Sequence, residues 1–382
     1  MQLIPSHEVR EGMCVAREVR NARGQILLGR GQRLTASLIA RLHRFRIEAV
    51  YIRDGHDESA PELVRAELKQ QCLEVLSGSF GRIAEEAAAK RLVLDPQAIQ
   101  EATESLVEAL LSNKNPLVTL LDVSTSSDRL LQHSVNATVL AITLALDMRI
   151  PFEMVLHLAS AMMFHDIGMT LLPDGLLEKS GKLSPQELHA MRDHVRLGFE
   201  HLVRANAVGK VAASVVLRHH EHLDGSGYPA GVGADRLSPL ARIASVVEVY
   251  DSLTTVRSYA PAVMPDVALA YILQNTGRLY AREAVLALCR RVALYPTGMA
   301  VQLNTGECGI VAGTQPEMPM RPALYVHLDH RGRKLPTPPL VDLRHDRARF
   351  VVRSAANLQL LLQGSAPPTA SRTVDPTHAS IG

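Results

Sequence analysis

Between residues 13 and 34 apolar and polar side chains alternate, as a half-buried strand pair requires, and the polar stretch 21–24 interrupts the alternation where a hairpin would turn. Thr35 then stands at a helix-cap position ahead of "ASLIARLHRF", which has helical spacing, and "EAVYIR" returns to a strand-like run. These three patterns predict a small α+β module. "DGHDESAP" has the composition of a linker. From 62 to 111 charged and apolar residues recur at helical spacing, broken once at Asp95-Pro96; proline lacks the N–H a helix interior needs, so two or more helices are expected. Asn115-Pro116 closes that segment. From 128 to 292 the pattern is almost wholly helical, and Val135, Val139, Ile142 and Leu146 fall on one stripe. After Tyr295 the period changes to that of strands, with a hairpin turning at 304–306 and further strands in "ALYVHLD" and "ARFVVRS". The tail beyond Leu362, rich in Ser, Thr, Ala and Pro, is expected to be disordered. The predicted architecture is multidomain: an α+β module over 1–54, a helical connector over 55–127, a central all-α domain over 128–292, a small β-rich domain over 293–360 and a tail over 361–382. No repeat of solenoid period is visible.

Composition narrows this picture little. The 382 residues are 47% hydrophobic and 21% charged, ordinary for a water-soluble globular chain. A net charge of +2 and the absence of a basic run give no electrostatic case for nucleic acid or an anionic membrane. "MQLIPSHEVREG" turns polar too early for a signal peptide, and "LASAMMF" is too short to span a bilayer. Cys14, Cys72, Cys289 and Cys308 are scattered and fit reduced thiols. The chain is therefore expected to be cytoplasmic.

The chemistry lies in the histidines. Of sixteen, nine fall between residues 128 and 260, and several stand where an apolar helix runs out. His133 opens a helix, His165 and Asp166 end "LASAMMF", His194 sits in "MRDHVRLG", His219 and His220 end "VAASVVL", and Asp251 follows "ARIASVVEVY". Burying such groups is costly unless they are paired or metal-bound, so one pocket is expected to collect them. Imidazole mixed with carboxylate suits Fe, Mn, Zn or Ni rather than Mg or Ca. Seven donors exceed the need of one ion with open positions, and a carboxylate such as Asp166 can be shared by two. Two such metals activate a shared water and clamp both oxygens of an in-line phosphoryl displacement, which points to phosphate-ester hydrolysis by a bridging hydroxide.

The strings "QHSVN", "HDIG", "LLPDGLLEKSGKLSPQE", "DHVRLG", "HHEHLDGSGYP" and "ARIASVVEVYDSLT", in this order, resemble the HD-GYP family, a branch of the HD metal-dependent phosphohydrolases. The similarity runs from about residue 128 to 291. It implies an HD-type all-helical domain with a di-metal centre, often iron, that hydrolyses cyclic di-GMP to pGpG or GMP in second-messenger signalling. By that resemblance His133, His165, Asp166 and Asp251 hold one ion, and Asp166 bridges to a second held by His194, His219 and His220. Gly227, Tyr228, Pro229 and Arg257 would line the substrate pocket. A cyclic dinucleotide is the implied partner, with a signalling protein or a second copy of the chain as further candidates.

Three positions depart from the family pattern. Met169 stands where "HDIGK" has a lysine, Ala260 where a second cation is expected after Arg257 and Tyr259, and Arg129 where some members have a glutamate for a third metal. Two metals at most are expected, and two phosphate-binding cations are missing, for which Arg129 or Arg218 are candidate replacements. Besides the phosphodiesterase, a cyclic dinucleotide sensor or docking protein with little turnover follows from those losses. A phosphohydrolase of another nucleotide is the third reading, because one scaffold hosts several substrates. His157, His189, His201 and His222 match no ligand position and are read as surface or packing residues, the pair Met162-Met163 as core.

Overall fold

The computed structural model describes residues 2–20, 25–44, 47, 49–53, 64, 66–89, 94–112, 118, 129–173, 175–177, 179, 181, 183–255, 263–315, 317–355 and 358–363. The N-terminal module is built as the alternation predicts, with one addition. Strands β1 (Gln2–Pro5) and β4 (Ala49–Ile52) pair antiparallel with Leu3 opposite Tyr51, and β2 (Val19–Arg20) pairs with β3 (Ile26–Leu28). Helix α1 (Ala36–Arg44) starts where Thr35 Oγ1 accepts the Leu38 N–H at 3.4 Å. Val15, Leu28, Leu34, Leu42, Ile47 and Val50 close a core of their own. β1 is not foreshadowed because too few of its residues alternate; its partner β4 supplies the order. The expected turn at 21–24 lies outside the described residues.

Helices α2 (Ala66–Ala89) and α3 (Pro96–Leu111) flank the predicted break, and Asp95 Oδ1 caps α3 by accepting the N–H groups of Gln97 (3.1 Å) and Ala98 (3.2 Å). They are more than a connector. Leu68, Leu76, Ile99, Leu106 and Leu110 share one continuous apolar core with the central helices, so this segment is part of the helical body.

That body comprises α4 (Arg129–Asp147), α5 (Phe152–Phe164), a 3-10 turn at Ile167–Leu171, α6 (Pro185–Arg192), α7 (His194–Arg204), α8 (Lys210–Arg218), α9 (Pro239–Thr254), α10 (Pro265–Gln274) and α11 (Arg282–Arg291). The stripe on α4 understates its burial: every residue from His133 to Ala145 is buried, and α9 is buried nearly all round. The segment Phe152–Leu171 is long and apolar enough to cross a membrane, yet 67% of its window is buried inside the protein, as befits a core helix.

The C-terminal strands form one antiparallel sheet in the order β8-β7-β6-β5-β9, with β5 (Ala300–Leu303), β6 (Cys308–Gly313), β7 (Ala323–Leu328), β8 (Leu340–Asp342) and β9 (Val351–Ala355). Val301, Leu303, Val311, Leu324 and Val326 join the helical core, while Ala300, Cys308 and Leu328 meet Leu361 of α12 (Leu358–Gln363) on the other face. The alternating burial of β7 follows from this two-sided covering. β8, only three residues long, carries no legible alternation. Residues beyond 363, where a disordered tail is expected, lie outside the described residues.

Candidate metal centre

Five elements deliver the site. His133 comes from α4, His165 and Asp166 from the end of α5, His194 from the start of α7, His219 and His220 from the end of α8, and Glu248 and Asp251 from α9. All eight side chains are buried. The turn after Asp166 can lie against α7 only because residue 168 is glycine: a Cβ there would stand 2.0 Å from the His194 carbonyl oxygen.

Four of the five rings are fixed by the nitrogen that faces away from the centre. The Nδ1 atoms of His165, His194 and His219 lie 2.6, 2.8 and 2.7 Å from the carbonyl oxygens of Met162, Met191 and Val216, one helical turn back in each case. A carbonyl only accepts, so these Nδ1 atoms carry the protons and the Nε2 lone pairs point inward. His133 follows the same rule with a carboxylate, its Nδ1 hydrogen-bonding Asp251 Oδ2.

The inward atoms fall into two groups. His133 Nε2 and His165 Nε2 are 3.0 Å apart, and each is 3.1 Å from Glu248 Oε2. His194, His219 and His220 form the second group with Asp166. Asp166 divides its oxygens between the two. Oδ2 lies 3.4 Å from His133 Nε2 and 3.6 Å from His165 Nε2, whereas Oδ1 lies 3.2 Å from His194 Nε2 and 3.7 Å from His219 Nε2. Among the described residues Asp166 Oδ1 and His220 Nε2 are buried without a hydrogen-bond partner. Lone pairs aimed at one another at these distances repel unless a cation or proton stands between them.

Charge follows geometry. Burial alone would favour neutral Asp166, but His165, His133, His194 and His219 hold it well below the usual carboxylate range. Glu248, also buried, is lowered by His133 and His165. Against its burial, His133 is held well above the ordinary histidine range by Glu248, Asp251 and Asp166, and His165 is raised by Asp166 and Glu248. His219 and His220 are lowered, chiefly by burial, and so are neutral imidazoles. The first group therefore draws a positive charge, which a metal ion supplies on displacing a proton. The second group offers neutral nitrogen donors. Imidazole and carboxylate in these numbers fit a divalent transition ion in each group.

Every expected metal residue is therefore brought to one place, but Asp251 stands behind His133 rather than among the inward atoms. Glu248, one helical turn earlier, occupies the place expected of it. Asp251 Oδ1 has no hydrogen-bond partner among the described residues. An acidic residue inside the apolar run "ARIASVVEVY", on the same face as Asp251, was the signal for Glu248.

Gly227, Tyr228 and Pro229 pack on the histidine-bearing turn. A Cβ on residue 227 would stand 2.4 Å from the His220 carbonyl oxygen, and the Tyr228 ring stacks on the His220 ring with centroids 4.6 Å apart. Glu221, fully buried, holds the loop by accepting the N–H groups of Ala230 (2.8 Å) and Val232 (3.1 Å). Its role is not evident from the sequence. Met169 is 4% exposed and packs with Leu176 and Met191 in a separate apolar cluster, so it brings no polar atom to the centre. Arg257, Tyr259 and Ala260 lie outside the described residues. His157, His189, His201 and His222 join neither group.

The sequence profile of the HD domain matches residues 105–283, and that of the KOW domain associated with the HD domain matches 300–361. The chain is 31% identical over 251 residues to cyclic di-GMP phosphodiesterase PA4108 of Pseudomonas aeruginosa, covering 65% of this chain and 60% of that protein. It is 42% identical over 127 residues to the cyclic di-GMP phosphodiesterase response regulator RpfG of Xanthomonas campestris, covering 33% and 34%. It is 34% identical over 139 residues to 3'3'-cGAMP-specific phosphodiesterase 3 of Vibrio cholerae, covering 36% and 30%. The chain thus spans less than two thirds of the length of each of these relatives. The helices that assemble the histidine and carboxylate cluster are an HD domain, and the relatives that align over it are cyclic dinucleotide phosphodiesterases, the type that the HD-GYP resemblance implied.

Proposed function

We propose that this chain is a di-metal phosphodiesterase that hydrolyses cyclic di-GMP to pGpG or GMP, acting in cytoplasmic second-messenger signalling. The observation that carries the reading is the division of Asp166: one oxygen serves each of two buried groups of inward-facing nitrogens. His133, His165 and Glu248 would hold one ion and His194, His219 and His220 the other, with Asp166 common to both. When bound, such a pair supplies Lewis-acid activation of water and neutralises charge on a phosphoryl group. The chain's own part is to keep the donors rigid. Nδ1 of four rings is tied to a carbonyl or a carboxylate, so these four imidazoles need not reorient when a phosphodiester arrives. Burial of the cluster excludes bulk water and strengthens every charge interaction around the phosphate.

The cyclic di-GMP assignment draws on the two relatives named for that activity. A relative named for 3'3'-cGAMP supports a second reading, in which another cyclic dinucleotide is the substrate. Protein loaded with iron or manganese should convert cyclic di-GMP to linear product on chromatography. Turnover of 3'3'-cGAMP alone would move the assignment to the second reading, and turnover of neither would end both.

The place of Glu248 gives a sharper test. Glu248→Ala is expected to reduce bound metal from two ions per chain to one, read by elemental analysis. Asp251→Ala, which removes the support of His133 and the acceptor of the Thr255 hydroxyl, is expected to weaken metal affinity about 10- to 100-fold while still reaching two ions in excess metal. The reverse pattern would return Asp251 to the ligand set and remove Glu248 from it.

A further inference from the structure

We infer that Arg192 is the cation that receives the second, non-scissile phosphate of the cyclic dinucleotide, in place of the charges missing at Met169 and Ala260. The inference rests on the phosphodiesterase reading. Arg192 ends α6, two residues before His194, and its guanidinium lies over the Tyr228 ring, 5.1 Å from the centroid. The same ring stacks on His220 at 4.6 Å, so the cation stands one aromatic ring away from a donor of the metal cluster. A cyclic dinucleotide presents two phosphodiesters; the cluster would take the one that is cleaved, leaving the other for a charge set to the side.

Among the described residues, other cations of the helical body are occupied, Arg129 included. Lys179 is bonded to Glu187, Arg196 to Asp193 and Glu200, Arg242 to the carbonyls of Ala234 and Leu237, and Arg278 to Asp224 and Asn275. Arg218 points back to the Ser214 hydroxyl at 3.4 Å. The Arg192 side chain makes no hydrogen bond or ion pair among the described residues, and its Nε is buried without a partner. A guanidinium held over an aromatic ring loses little freedom on binding an anion, and its terminal N–H groups can meet two phosphate oxygens. Tyr228 would thus position the arginine as well as His220.

The test separates recognition from structural support. With metal-loaded protein and cyclic di-GMP, Arg192→Ala is expected to raise KM about 10- to 100-fold with little change in kcat or bound metal. Arg192→Lys is expected to recover part of the loss, because it restores charge without the fork. An unchanged KM overturns the inference. Loss of metal in Arg192→Ala also overturns it, since the side chain would then merely prop Tyr228 against His220. Failure of the phosphodiesterase reading is distinguishable on the wild type alone: protein that neither binds nor cleaves a cyclic dinucleotide removes both ideas, whereas an active wild type with an unaffected variant removes only the role of Arg192.

Discussion

Asp166→Ala is expected to empty the centre of both ions and to reduce phosphodiester turnover by about a thousandfold or more, roughly 4 kcal/mol of barrier. The reason is that one side chain serves two groups. Its Oδ2 completes the half made by His133 and His165, and its Oδ1 completes the half made by His194 and His219. Removing any single histidine spares the other half, whereas removing this carboxylate strips a charged donor from each. The variant should still fold, because loss of a buried anion surrounded by imidazoles is relieved when those rings become neutral. Elemental analysis and circular dichroism on the same sample check both parts. Two tightly held ions in Asp166→Ala, or unimpaired turnover, would eliminate the shared-carboxylate centre.

Met169→Lys is expected to destabilise the protein by about 2–4 kcal/mol and to gain no activity. From the sequence, a lysine here should reach a substrate phosphate. In the folded chain the side chain at 169 lies instead among Leu130, Leu172, Leu176, Leu177, Leu188 and Met191 in an apolar cluster. An ammonium in that cluster must either lose its proton or push the segment outward. Met169→Leu, which keeps the volume, should cost less than about 1.5 kcal/mol. Thermal melts of the two variants, run beside a cyclic di-GMP assay, decide the matter. A Met169→Lys protein as stable as wild type and more active would mean that the long chain escapes the cluster and that a phosphate cation was limiting after all.

These two positions show how unevenly the site was legible. His165, Asp166, His219 and His220 could be picked out because buried polar groups ending apolar helices have few uses other than metal binding, whereas His194 was legible only because its string occurs in a specific order with those of the others, His133 included. Glu248 and Asp251 share a helix face at i and i+3, so spacing allowed either to face the ions. Their assignment turned on which side of the His133 ring each carboxylate meets: Glu248 lies at Nε2 and Asp251 at Nδ1. Tyr228 was read as a pocket residue from the resemblance of its glycine-rich loop to the family's, and only the fold shows that its ring also stacks on His220. Loop composition signals a sharp turn but not the surface against which it closes.

What the sequence determined alone was most of the elements, short of β1 and β8, and most of the donor inventory, short of Glu248. Helical period, the Asp95-Pro96 break and the strand alternation after Tyr295 are local properties, and local backbone and burial preferences suffice to place them. The tertiary structure alone decided that α2 and α3 belong to the helical body, that Met169 is core, that Glu248 faces the centre and that Arg192 lies over Tyr228. Each of these depends on which residues distant in the chain become neighbours. A pattern along one helix names the face that is buried, but the partner packed there sets whether a buried side chain holds an ion, braces a ligand or fills space.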